Sequence, residues 1–227
     1  ENNKILLNKS REKDEICKTK YPLLLVHGIF FRDFEKLNYW GRIPDELMKN
    51  GATIYYGNHS SSLAVKDSAE ELADRIKQIV KETKCKKVNI IAHSKGGLDS
   101  RYAISNLGMD KYVASLSMIN TPNHGCEFAE YLLNKAPKTL KDKVSSGYNF
   151  TLKKPGDKDP DFIAGVTDLT FSEVEKLNKK MKNSKNVYYR AYGSVLKKPT
   201  SGRFPLNLTN NFVGHFDGKN DGLVGID

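Results

Sequence analysis

At 227 residues, 38% hydrophobic and 28% charged, the chain is long enough to build one full hydrophobic core. No run of eighteen apolar residues occurs, which excludes a membrane-spanning helix. Cys17, Cys85 and Cys126 fit no zinc pattern and argue against a disulfide framework, leaving room for one bridge at most. The formal charge of +10 comes from scattered lysines, such as Lys84-Lys86-Lys87 and Lys179-Lys180, with no arginine-rich stripe and no nucleic-acid motif, so solvated surface charge is the favoured reading and no nucleic-acid partner is expected.

Residues 1–20 are rich in Lys, Glu and Asn and lack the apolar core of a signal peptide; they read as a tail ahead of a domain over 21–227. Tyr21–Val26 is a continuous apolar run, the pattern of a strand buried on both faces in a parallel sheet. It ends in His27-Gly28. The loop Ile29-Phe30-Phe31 is apolar, as expected either of a loop packed on the core or of the wall of an apolar site with a backbone N–H turned inward. Tyr39–Asn50 reads as a helix with Pro44 in its first turn and Asn50-Gly51 as its stop. Thr53–Tyr56 is a second strand. Ser68-x-x-Glu71 has the form of a capping box, followed by Leu72, Ile76, Ile79 and Val80 at helical spacing to about Thr83.

Val88–Ala92 is a strand that meets Ser94 between small residues, and a helical pattern follows at once and closes at Gly108. Strand, sharp turn and helix with a hydroxyl at the apex make the pattern of a nucleophile elbow, with Ala92 in place of the first glycine of G-x-S-x-G. Small residues are needed at Ala92 and Gly96 because a strained turn brings them against neighbouring backbone. The helix N-terminus behind Ser94 favours negative charge there.

Tyr112–Ile119 is the next strand, Asn120–Gly125 the loop at its end, and Glu127–Leu133 a short helix. Residues 134–165 lose periodicity and read as an insertion, either a mobile cover or a plain surface excursion. Thr170-x-x-Glu173 is a second capping box that opens a helix to about Lys182. Asn186–Tyr192 is a strand, and the last thirty-odd residues look loop-like. Alternating strands and helices predict an α/β fold with a mainly parallel sheet and helices on both faces. Sites in such sheets lie at the carboxyl ends of strands, where His27-Gly28-Ile29, Ser94 and Thr121–His124 all fall.

Together with Asn220-Asp221-Gly222-Leu223-Val224, these motifs resemble, in order and spacing, the bacterial true lipases of the Pseudomonas and Burkholderia type, which are α/β-hydrolases. Asp168-Leu169-Thr170 with Leu177-Asn178 also resembles that family. The resemblance implies an α/β-hydrolase fold with a lid over about 134–165, and a serine ester hydrolase, a triacylglycerol lipase or carboxylesterase. It implies Ser94 as nucleophile, the main-chain N–H groups of Ile29 and Lys95 as oxyanion hole, and Asp221 as the acid, with Asp217 a weaker alternative. Phe30 and Phe31 would line an acyl groove, and the Lys95 side chain need play no part.

The family's triad runs Ser, Asp, His, yet all five histidines of this sequence precede Asp221. The expectation is a catalytic histidine beyond residue 227. A hydrolase-fold protein that binds lipid or surfaces without catalysis is the alternative from another class, and a phospholipase or acyltransferase would use the same serine. The resemblance also suggests a lipid or ester substrate met at a lipid–water interface, and an extracellular location. It implies no cofactor beyond a structural calcium, which these residues do not specify; no metal ligand set is visible.

Overall fold

In the computed structural model, which describes residues 15–29, 39–135, 137–139, 142, 161–198 and 206–226, the apolar segments assemble into one parallel sheet. The strands are β1 (Leu23–Val26), β2 (Ile54–Tyr56), β3 (Val88–His93), β4 (Val113–Ile119) and β5 (Tyr188–Tyr192). They lie in the order β2-β1-β3-β4-β5, and each neighbouring pair is parallel. All four residues of β1 are buried, as their unbroken apolar run requires of a strand between neighbours with both faces covered.

The helices are α1 (Ile43–Lys49), α2 (Val65–Thr83), α3 (Lys95–Asn106), α4 (Glu127–Lys135), α5 (Phe162–Thr167), α6 (Phe171–Lys180) and α7 (Leu206–Asp217). A 3-10 turn over Met109–Lys111 precedes β4. In α2, Ala69, Leu72, Ala73, Ile76 and Ile79 recur every three or four residues and form one buried stripe. That stripe shares the main core with Leu24 and Val26 of β1, Val88, Ile90 and Ala92 of β3, and Leu116 of β4. Full burial of each Leu or Ile there stabilises the fold by about 1.5–3 kcal/mol.

Several local expectations change. Helix α2 begins at Val65, one turn before the expected cap, so Ser68 lies inside it, buried. Its first N–H, that of Val65, donates to Asp168 Oδ2 at 2.6 Å, a cap borrowed from 103 residues away. Ser68 Oγ instead donates to the Ser60 carbonyl at 3.2 Å, while Glu71 accepts from Ser60 N–H at 2.6 Å and Ser60 Oγ at 3.1 Å. Thr170 does sit at the N-cap of α6, but its hydroxyl donates back to Thr167 O, so no capping box forms. The C-terminal stretch holds the helix α7, which its Asn and Gly content hid. Cys17, Cys85 and Cys126 form no disulfide among the described residues. Among the described residues, no helix is long and apolar enough to cross a membrane.

Candidate active site at the carboxyl edge of the sheet

The end of β3 runs into α3 with a single residue between them, Ser94, at φ +53° and ψ −131°. A residue bearing a Cβ rarely adopts this backbone, and holding it there costs on the order of 1–3 kcal/mol. The turn is pinned from both sides: Ser94 N–H donates to Ile119 O of β4 at 2.9 Å, and Ser94 O accepts from Gly97 N–H at 3.0 Å. The small residues around it are there for space. A Cβ on Gly96 would lie 2.3 Å from His27 O and 2.8 Å from Val26 O. One on Gly97 would run into Thr121, its Oγ1 2.1 Å away, and Ala92 is fully buried. The elbow is therefore wedged between the carboxyl ends of β1 and β4.

The first oxyanion-hole candidate follows from the same packing. A Cβ on Gly28 would come within 2.7 Å of Ser94 Cβ, so the Gly28–Ile29 peptide passes directly over the serine. His27 Nδ1 lies 2.9 Å from Gly28 O, placed to donate to the carbonyl of the peptide whose N–H belongs to Ile29. The second candidate amide, Lys95 N–H, opens α3, and its peptide partner Ser94 O is the one held by Gly97. Both peptides thus have their carbonyls engaged, which fixes their planes and polarises the opposite N–H. Ile29 is buried, and Gly165 of α5 packs near it, where a Cβ would sit 3.3 Å from Ile29 Cδ1. Phe30 and Phe31, and most of the lid over 134–165, lie outside the described residues.

Asp221 sits in a tight turn, with Oδ1 accepting from Leu223 N–H and Val224 N–H, both at 2.9 Å. The turn is tied to the segment after β5 by Leu196 N–H donating to Asn220 O at 2.9 Å, and buried Asn220 is locked to Asn210 of α7. This places the acid at the carboxyl edge. Burial pushes the His93 imidazole below its ordinary range, and the Asp221 carboxylate acts on it in the opposite sense, so the acid is within electrostatic reach of the elbow. Asp217, the alternative acid, is committed to structure: its Oδ1 accepts from Glu127 N–H at 2.8 Å and its Oδ2 from Cys126 Sγ at 3.4 Å.

None of the five histidines bonds to the Ser94 hydroxyl or to Asp221 among the described residues. His93 Nδ1 meets the Tyr39 hydroxyl at 2.5 Å. His27 and His59 are fully buried, with rings stacked 4.1 Å apart. His124 and His215 are exposed. No group of three or more His, Cys, Asp or Glu side chains that could hold a metal occurs among the described residues.

No local pattern signals what lies behind the elbow. The Lys95 side chain is 1% exposed; its Nζ donates to Asp99 Oδ1 at 2.8 Å and to Ser68 Oγ at 2.9 Å. Asp99, equally buried, reaches His59 Nε2 at 3.4 Å. Burial raises the Asp99 carboxyl to about 6, against the opposing pull of Lys95 and His27. A lysine and an aspartate four apart at a helix start look like a surface pair; only the approach of α2 and the 59–62 loop buries them.

Comparison with known proteins bears on the fold and the family. Residues 24–131 match the family described as "Putative serine esterase (DUF676)". A triacylglycerol lipase of Pseudarthrobacter phenanthrenivorans is 32% identical over 178 residues, 73% of this chain and 55% of that protein. One of Burkholderia plantarii is also 32% identical, over 73% of this chain and 49% of its own length. The chain therefore spans about half the length of these curated relatives. In structure, the mature Bacillus licheniformis lipase BlEst2 superposes with a TM-score of 0.69 at 21% identity, covering 90% of this chain and 77% of its own. The metagenomic carboxyl esterase MGS0156 gives 0.68 at 14%, covering 91% and 59%. Both show a shared fold.

Proposed function

For this chain, which belongs to the α/β-hydrolase superfamily of lipases and esterases, we propose a serine ester hydrolase that works through an acyl-enzyme on Ser94. The observation that carries the proposal is the backbone of Ser94, strained at φ +53° with Gly28 packed over its Cβ. In this mechanism Ser94 Oγ attacks the ester carbonyl and its proton passes to a histidine base. The carbonyl oxygen gains charge and is met by the N–H groups of Ile29 and Lys95; each such donor typically supplies roughly 2.7–4 kcal/mol. Return of the proton expels the alcohol, leaving Ser94 acylated, and water activated by the same base releases the acid. Asp221 orients the base. His27, His59 and His93 are engaged within the fold, and none of them is assigned as that base.

A triacylglycerol is the proposed substrate, supported by the names of the two curated relatives. The test compares the complete natural protein on emulsified long-chain triglyceride and on a soluble short-chain ester, with Ser94→Ala as control. Hydrolysis of both, lost by about 10³-fold or more in the variant, is expected. Activity on the soluble ester alone would make the protein a carboxylesterase. Turnover unchanged by Ser94→Ala would refute the mechanism.

A further inference from the structure

The lysines that looked scattered in sequence are gathered by the fold. In an all-parallel sheet the amino ends of the strands share one edge, opposite the edge that holds Ser94. The segments leading into β1, β3, β4 and β5 are 15–22, 81–87, 110–112 and 182–187. They hold nine lysines against three acidic residues, Glu15, Glu82 and Asp110, and so carry six of the chain's ten net positive charges. Eight of the nine lysines are exposed, namely 18, 20, 81, 84, 86, 111, 182 and 185. Lys18 alone among them is ion-paired, with Glu15 at 2.7 Å.

These four segments are tied together. The partly buried Lys87 reaches across three of them, its Nζ lying 3.4 Å from Asp110 O, 3.2 Å from Val113 O and 3.5 Å from Asn186 O. Asp110, the acid best placed to neutralise the edge, is held by Ser184 Oγ at 3.0 Å and Asn186 Nδ2 at 3.4 Å. Asn89 Nδ2 joins Tyr21 O at 3.1 Å. Lys87 and Asp110 thus hold the loops, while the other eight lysines stay exposed, two of them, Lys20 and Lys111, with their ammonium groups over the rings of Tyr21 and Tyr112. Complementing helix C-termini explains Lys81 and Lys84 at the end of α2. It does not explain Lys18, Lys20 and Lys185, which lie in loops.

We propose that this edge binds a phosphate-chain polyanion, leaving the Ser94 edge free. Adjacent strands are about 4.8 Å apart, so the four loops form a row roughly 15 Å long, the geometry of a linear anion rather than of a single phosphate. A linear polymer also suits the site's placement. An anionic bilayer held at this edge would turn Ser94 away from its own lipid.

The test is binding of long-chain inorganic polyphosphate at low salt to wild type, to Lys84→Gln/Lys86→Gln/Lys182→Gln/Lys185→Gln, and to a control with Lys66→Gln/Lys77→Gln/Lys197→Gln/Lys198→Gln. The two variants lose equal charge. The patch variant is expected to bind at least about ten-fold more weakly and with a shallower salt dependence, and the control within about three-fold of wild type. Ester hydrolysis is expected to be unchanged in both. Absence of binding, or equal losses in the two variants, would overturn the proposal. So would tighter binding to phosphatidylglycerol vesicles than to polyphosphate. None of these results depends on whether Ser94 is a nucleophile.

Discussion

Replacing Ser94 by glycine should stabilise the protein while removing its proposed chemistry. At φ +53° and ψ −131° the Cβ of residue 94 is the source of the conformational cost, and the hydroxyl is not. Ser94→Ala keeps the Cβ and the strain; Ser94→Gly releases it. The gain of about 1–3 kcal/mol is reduced by the greater freedom of glycine in the unfolded chain, about 0.4–1 kcal/mol. Ser94→Gly should therefore be more stable than Ser94→Ala by about 0.5–2 kcal/mol, with a Tm rise of about 2–4 °C for each kcal/mol in a chain of this size. Urea unfolding of wild type and both variants at pH 7 measures this difference. If Ser94→Gly is equal to or less stable than Ser94→Ala, the turn is not strained, and the main argument for a nucleophile at this position fails.

Other parts of the site can be tested apart from activity. Gly96→Ala forces a methyl to 2.3 Å from the His27 carbonyl, which must move β1 or α3; a loss of about 1–3 kcal/mol or more is expected in urea unfolding, against under 0.5 kcal/mol for the exposed control Lys66→Gln. Asp168→Ala removes the acceptor at the start of α2 and should cost about 0.5–2 kcal/mol by the same assay. Asp221→Asn removes the charge that raises the His93 pKa, so the His93 ring resonance should titrate at lower pH than in wild type; an unmoved titration would place the acid away from the elbow. The Asp99 carboxyl, raised from 3.8 to about 6, binds its proton more tightly in the folded state. The folded state is thus favoured as the pH falls through about 6 toward 4, and this contribution is absent above that window. Wild type should gain stability relative to Asp99→Asn, by up to about 3 kcal/mol, between pH 7 and pH 4. A difference that stays flat with pH would show that Asp99 is not desolvated.

The parts of the fold set by local pattern were legible. The apolar run Leu23–Val26, the strand before Ser94 and the helix after it follow from periodicity and side-chain size, and so does the placing of His27–Ile29, Ser94 and Thr121–His124 at the carboxyl ends of strands; Asp221 was legible only through the family resemblance. What failed depended on residues far apart in the chain. Ser68 and Glu71 have the spacing of a capping box, but Asp168 supplies the cap, so α2 starts a turn earlier. Helix α7 contains Asn207, Asn210, Asn211 and Gly214, poor helix formers on their own; Asn210 is recruited by Asn220, a contact no local window contains. Lys95 read as an amide with an idle side chain, and it is instead buried against Asp99 and Ser68. The lysines of the amino edge are separated by up to 167 residues and become one feature only through the strand order.

The most direct measurement of the central claim is covalent labelling of the complete natural protein with a fluorophosphonate, followed by peptide mapping by mass spectrometry. A single adduct on Ser94, absent from unfolded protein and from Ser94→Ala, is the predicted result. Folded protein that stays unlabelled, or carries its adduct on another residue, would contradict the assignment of Ser94 as nucleophile.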